Sequence, residues 1–294
     1  MVELAQFVFA LRACAEERMF GEKFYPSLNK LSPWKQSLFA LCLAQRQFAN
    51  YLLWAELSAA GRGISEYNQA LKQLWAYHQD KFNHIDLARA LQSFEPFAPD
   101  LDKEEDPEDP KTGTLLALDA SLCLTAAFDG IIMHEGDEAE IASKASLAAV
   151  VLAVQNQSET LLSEDELRET TLIDEEVNFQ VSVLELLIKG QRELPLIQLL
   201  LKTSLKDGCT NIGIELDEKE SALCTYNVYA LNPKLVKKAG RAGRSALKML
   251  QKDKSGRPGR SHKVHQEAHQ GRGRKSASDS RSPADPWAKA KDQH

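Results

Sequence analysis

The short signatures of catalysis are missing from this chain. It has no H-E-x-x-H and no E-x-x-H, so the helical zinc and di-iron patterns fail. It has no Walker A loop and no G-x-S-x-G elbow, and Gly61-Arg62-Gly63 lacks the third glycine of a dinucleotide loop. Cysteine is sparse: Cys14, Cys42, Cys123, Cys209 and Cys224 form no C-x-x-C, and their odd number argues against a secreted disulfide framework. A reducing, cytoplasmic setting with free thiols is the expectation. No run reaches the roughly 18 uncharged apolar residues of a spanning helix, and Glu3 and Arg12 spoil the N-terminus as a signal peptide. Strand signals are scarce as well; only Ile212-Gly213-Ile214 reads as extended.

What is present is charge, unevenly placed. Hydrophobic residues make up 43% of the 294 residues and charged residues 27%, an ordinary balance for a globular chain. The overall charge of −6 hides a strong asymmetry: residues 31–222 carry net −18 and residues 223–294 net +12. An acidic body is therefore joined to a basic tail.

Helical periodicity dominates the body. Leu4, Phe7, Val8, Leu11 and Ala15 predict an amphipathic helix over 3–20. Ser32-Pro33 marks a helix start, and the helix runs to about Ala60, with a bend expected near Ala49-Asn50. Further helices are expected from Ser65 onward, over 85–94, over the nearly all-apolar 114–133, and from Asp137 to about Gln155. Others follow the capping box Ser163-x-x-Glu166, and span about 174–189 and 194–206. Asp137-x-x-Glu140 resembles a second capping box. Between these helices, residues 95–113 hold four prolines and eight acidic side chains against two lysines, a segment expected not to pack. Asp100, Asp102 and Glu104 fit the first positions of a calcium loop, but Glu105 and Lys111 stand where glycine and glutamate are needed. The expected fold is all-α: a compact multi-helix bundle, followed by a connector (218–231), a basic amphipathic C-terminal helix (232–252) and a disordered tail (253–294).

Several spaced segments carry a family resemblance. They are LSPWKQSLFALCLAQRQFANYLLW at 31–54, LWAYHQDK at 74–81, LDASLCL at 118–124, SKAS at 143–146 and DGCTNIGIEL at 207–216. In this order they resemble the YjaG-like family of uncharacterised bacterial helical proteins, over about residues 31–217, leaving 1–30 as a leader. The resemblance implies a helical domain and no known activity. The matching positions are Trp34, Arg46, Asn50, Tyr51, Asp119, Ser143, Asn211 and Gly213. Ala49 departs from the family pattern, which favours proline there.

Two groups of residues could carry function. Asp119 falls on the apolar face formed by Leu115, Leu122, Cys123 and Ala126, so its carboxylate needs a buried partner such as Arg46 or lines a pocket. Asn50 and Asn211 join Arg46 and Asp119 as the candidate polar cluster, and a small-molecule-binding protein or enzyme built there is the alternative reading. The second group is the tail. With Leu235 at zero on a helical wheel, Ala239, Ala242, Ala246, Met249 and Leu250 fall within about 60° of it. Lys234, Lys237, Lys238, Arg241, Arg244, Lys248 and Lys252 occupy the opposite side. Gly240 and Gly243 weaken the helix by about 1 kcal/mol each. Such a segment binds phosphate backbones without reading sequence. The expected partner, through residues 232–275, is thus nucleic acid or an acidic protein, and docking on the chain's own acidic body is the rival. A shallow Gly/Ala face without Trp or Phe argues against a membrane surface. His262, His265 and His269 sit among Gly, Pro and Arg and are read as solvated, so no metal and no cofactor is expected.

Overall fold

In the computed structural model the described residues run from 19 to 214, apart from 81–83, 105, 107–109, 159 and 206–209. They form ten α-helices and no strand. In chain order these are α1 (Phe24–Leu28), α2 (Pro33–Arg46), α3 (Phe48–Ser58), α4 (Ile64–Gln79), α5 (Leu87–Phe94), α6 (Thr112–Ile132), α7 (Glu138–Gln157), α8 (Glu164–Arg168), α9 (Thr171–Lys189) and α10 (Leu194–Ser204). The chain divides into two units, Met1–Ala242 and Gly243–His294. The second lies wholly outside the described residues, as do the expected connector 218–231 and basic helix 232–252.

The centre of the body is α6, packed against α2, α3 and α7. Its nearly all-apolar sequence explains the position: such a helix is stable only when most of its surface is covered. Ala117, Ala120, Leu124, Ala127 and Phe128 are buried in the main core. By length and composition α6 would also pass for a membrane-crossing helix, with a mean hydropathy of 1.8 over its best stretch. The run of about 18 uncharged residues remains absent, since Asp119 and Asp129 interrupt it, and the same stretch is 61% buried within the bundle. Close approach of α2 depends on Gly130, where an added Cβ would lie 3.1 Å from the Ser37 nitrogen and 3.2 Å from its Cα.

Sequence and structure part at several places. The long helix from Ser32 breaks at Gln47, two residues before the expected bend, because Gln47 takes φ −96°, ψ 1° and its backbone carbonyl starts the next helix by accepting from Asn50. Residues 95–104 do pack, against the expectation for the acidic segment. The Tyr51 hydroxyl donates to the Phe97 carbonyl at 2.8 Å, Ala98 rests on the core, and the Glu104 carboxylate accepts from Thr114 at 2.6 Å. Hydrogen bonds from the body offset the local repulsion there. Asp137 makes no side-chain cap; instead Glu138 accepts from the Glu135 and Gly136 backbone amides. The box at Ser163 and Glu166 is formed in full. Residues 210–214 make a tight turn rather than an extended segment, with Thr210 N bonded to the Ile214 carbonyl at 3.0 Å and Gly213 at φ +77°. Within the expected leader, Phe24, Tyr25 and Leu28 are buried in the main core, and Phe20 stacks on Phe24 at 4.1 Å. The remainder of the helix expected over 3–20 lies outside the described residues, save Met19 and Phe20, which are helical.

Candidate functional site

The helix break at Gln47 gathers polar side chains into the interior. Arg46 ends α2, Gln47 is the joint, and Asn50 lies in the first turn of α3. Arg46 Nε donates to Glu176 Oε2 of α9 at 3.3 Å, and its guanidinium lies 4.5 Å from the Phe179 ring centroid. The Arg46 side chain is 10% exposed and that of Glu176 is 0% exposed. Glu176 also accepts from the Ser146 hydroxyl at 2.6 Å and from Gln180 Nε2 at 2.8 Å. Three donors around one carboxylate offset its desolvation, without which such a burial costs several kcal/mol. Ser143 donates to Gln180 Oε1 at 2.5 Å, which ties α7 to α9 a second time.

The turn at 210–214 closes this network. Asn50 Nδ2 donates to Asn211 Oδ1 at 2.9 Å, and Asn211 Nδ2 points at the Ser146 carbonyl at 3.4 Å. Three of the four residues singled out in the sequence, Arg46, Asn50 and Asn211, therefore meet in one cluster. The carboxylate that Arg46 bonds is Glu176 of α9. Asp119 is fully buried on α6, one turn before Cys123. Gln47 Nε2 donates to Cys123 Sγ at 3.1 Å. The Cys123 thiol is held well above its ordinary pKa, first by burial and then by the negative charge of Asp119, with Glu176 adding to the rise and the Gln47 bond opposing it. Burial likewise pushes the Cys42 thiol up to about 12. Both thiols stay protonated at neutral pH, and neither is a nucleophile, since the thiolate is the reactive form.

Sequence reasoning missed Glu176, Ser146 and Gln180. The signal was present: Ile173, Glu176, Gln180, Val183 and Leu187 follow helical spacing, which puts a carboxylate and an amide on the apolar stripe of α9. It also missed the pair Ser37 and His78, at 0% and 1% exposure. The Ser37 hydroxyl donates to the Ala127 carbonyl at 2.5 Å, and His78 Nε2 lies 3.0 Å from the same oxygen. Since the serine has spent its one proton, the imidazole must be the donor to it, which fixes the Nε2–H tautomer. A histidine that donates to serine cannot act as its base. His78 is kept neutral by burial and by the Arg192 charge, which lower its pKa well below the ordinary value. Among the described residues no group of three or more His, Cys, Asp or Glu is arranged to hold a metal ion. Lys234, Lys237, Lys238, Arg241, Arg244 and Lys248 of the expected polyanion site lie outside the described residues.

Comparison with known proteins matches the family described as "Protein of unknown function (DUF416)" over residues 23–215. The chain belongs to this family. Among its relatives, an uncharacterised protein YjaG of Escherichia coli K12 is 26% identical over 198 residues, covering 67% of this chain and 98% of that one. An uncharacterised Haemophilus influenzae protein is 26% identical over 193 residues, covering 65% and 96%. The crystal structure of a DUF416 family protein from Shewanella baltica OS155 is similar at a TM-score of 0.57 and 25% identity. It spans 66% of this chain and 98% of its own. The DUF416 match includes the whole polar cluster from Arg46 to Asn211 and also α1, but it stops short of the basic segment.

Proposed function

We propose that this DUF416 protein is a non-enzymatic, cytoplasmic interaction module whose basic segment, residues 232–275, binds nucleic acid or a comparable polyanion with little sequence preference. The carrying observation is the charge separation: net +12 on residues 223–294 beside net −18 on residues 31–222. A run of lysine and arginine of this density gains affinity for phosphate by releasing counterions. Two features of the body support the non-enzymatic side of the reading. Arg46, Asn50 and Asn211 are hydrogen-bonded within the polar network, and the buried thiols and the Ser37–His78 pair are in unreactive states. The free, buried Cys42 and Cys123 suit a reducing compartment.

The test is fluorescence anisotropy of the full chain on a mixed-sequence 30-base-pair duplex. Affinity should fall by about two to three orders of magnitude between roughly 50 and 200 mM salt. Replacing Lys237, Lys238, Arg241 and Arg244 together by glutamine should weaken binding and flatten the salt slope. Binding that ignores salt, or that survives deletion of residues 232–294, would overturn the reading. A cocrystallised or copurified small molecule beside Arg46 and Asp119 would favour the ligand-binding alternative.

A further inference from the structure

One surface of the body takes no part in the polar network. On α6 and its C-cap, Leu122, Thr125, Ala126, Asp129 and Met133 recur at three- and four-residue spacing and so share one side of the helix. Together with Ile141 of α7 they line a groove of about 330 Å³. Its apolar side chains stand open, with Leu122 38%, Ile141 42% and Met133 65% exposed. From Leu122 to Met133 the strip runs about 16 Å along the helix axis, at ~1.5 Å per residue, the length of three helical turns.

The edge of this groove is anionic. Asp129 sits in the strip, and Glu135 and Asp137 of the α6–α7 turn flank it. Burial, reinforced by the charges of Glu138, Glu135 and Glu95, raises the Asp129 carboxyl above its ordinary range. Among the described residues, no cation is paired with Asp129, Glu135 or Asp137. Glu138, by contrast, is turned inward onto two backbone amides. An apolar floor and negative charge that no described cation pairs thus occupy the same three turns.

We propose that this groove is the docking site for an amphipathic helix of a partner protein that carries lysine or arginine beside its apolar face. Apolar anchors at i, i+4, i+7 and i+11 of such a helix span the strip, and the flanking cations meet the crowded carboxylates. The apolar floor gives nothing to a purely polar cation, and the rim repels nucleic acid. The rim charges also steer the encounter, so association is salt-dependent while the anchors set the lifetime. This site is built from the described body alone, so it stands or falls independently of polyanion binding by the tail.

The probe is a fluorescein-labelled model helix of about 14 residues, with leucines at i, i+4, i+7 and i+11 and lysines beside them, titrated with the full chain. Saturable binding at tens of micromolar is expected, weakening about fivefold between roughly 50 and 300 mM salt. Met133→Ala with Ile141→Ala should weaken it at least about tenfold while the chain keeps a cooperative thermal transition, because both side chains are exposed and lie outside the core clusters. Asp129→Asn with Glu135→Gln should leave residual binding with a flatter salt dependence. The proposal fails if the alanine pair binds as tightly as the parent, since the acidic body at large would then hold the peptide. It also fails if a shuffled peptide of the same composition binds equally, or if no saturation occurs. Self-association that the alanine pair abolishes would give the groove to a second copy, and much tighter probe binding after deletion of residues 232–294 would give it to the chain's own basic segment. Either result overturns the proposal.

Discussion

Two apolar clusters make up the body, and they differ in how they are closed. The larger holds aromatic and leucine side chains from α1 through α6, the alanines that open α7, and the later turns of α9 and α10. The smaller is mostly aliphatic: Leu147, Val150, Val151 and Val154 of α7, Leu167 of α8, Ile173 of α9 and Ile212 of the final turn. On α7, Ala142 and Ala145 face the first cluster and Leu147 and Val150 the second. Ser143 and Ser146 lie between them. On α9, Ile173 belongs to the second cluster and Phe179 and Val183 to the first, with Glu176 between. The Arg46–Glu176–Ser146–Asn211 network is therefore a polar seam between two dry regions. A hydrogen-bonded seam fixes the register of α7 against α9, whereas apolar packing alone tolerates several registers. The main cluster surrounds α6 on several sides; the second is closed by a five-residue helix and a turn.

The largest effects should come from cavities on the two sides of the seam. Phe128 in the main cluster and Leu167 in the second are both fully buried. Phe128→Ala should cost about 3–5 kcal/mol and Leu167→Ala about 2–3 kcal/mol, the latter lower because a thin layer can collapse onto the void. Urea denaturation measures both. Equal losses would mean that the second cluster is as tightly constrained as the first.

Next comes the seam itself. Arg46→Met leaves Glu176 buried without its cation and should cost about 3–5 kcal/mol, while Arg46→Met combined with Glu176→Leu should recover most of it. A double variant as unstable as the single one would show that Ser146 and Gln180 depend on Glu176 as their acceptor. The partner choice marks the limit of what the sequence could reveal. Helical spacing exposes each polar residue on an apolar stripe, which is how Asp119 was found and how Glu176 could have been. It does not reveal which two will meet, because Arg46 and Glu176 are separated by 130 residues. The break at Gln47 was expected two residues too late, near Ala49-Asn50. No glycine or proline marks it, and the joint is held by tertiary bonds, Gln47 to Cys123 and Asn50 to Asn211. Local signals served better where the physics is local, as at the Ser163–Glu166 box and the start at Pro33. The acidic segment shows the converse: its composition argued for exclusion, yet Thr114 and Tyr51 reach out from the body to hold it.

A smaller effect separates the main cluster from the seam by pH. His78 lies inside the main cluster's helices, bonded to Ser37, with its pKa lowered well below 6.5 by burial and Arg192. The unfolded chain binds a proton at His78 at a pH where the folded chain does not. Stability is therefore intact above about pH 6.5 and is lost as pH falls through that value. His78→Gln should reduce the pH slope of the unfolding free energy between roughly pH 6.5 and 5 by about 1 kcal/mol per pH unit. An unchanged slope in the variant would place the acid sensitivity in the carboxylates instead.

The smallest predicted change probes the second cluster through its cap. Ser163 accepts from the Glu166 amide, and the Glu166 carboxylate accepts from the Ser163 amide at 2.7 Å, which starts the helix that inserts Leu167. A five-residue helix has little intrinsic stability, because nucleation is unfavourable and few backbone bonds follow it. Its cap should therefore count for most of its local order. Ser163→Ala is expected to cost about 1 kcal/mol. If the two clusters are separable in stability, the loss will appear as faster amide exchange in α8 and in residues 210–214, with α2 and α6 unaffected. Uniform acceleration across all helices would show instead that the seam couples the two clusters into a single cooperative unit.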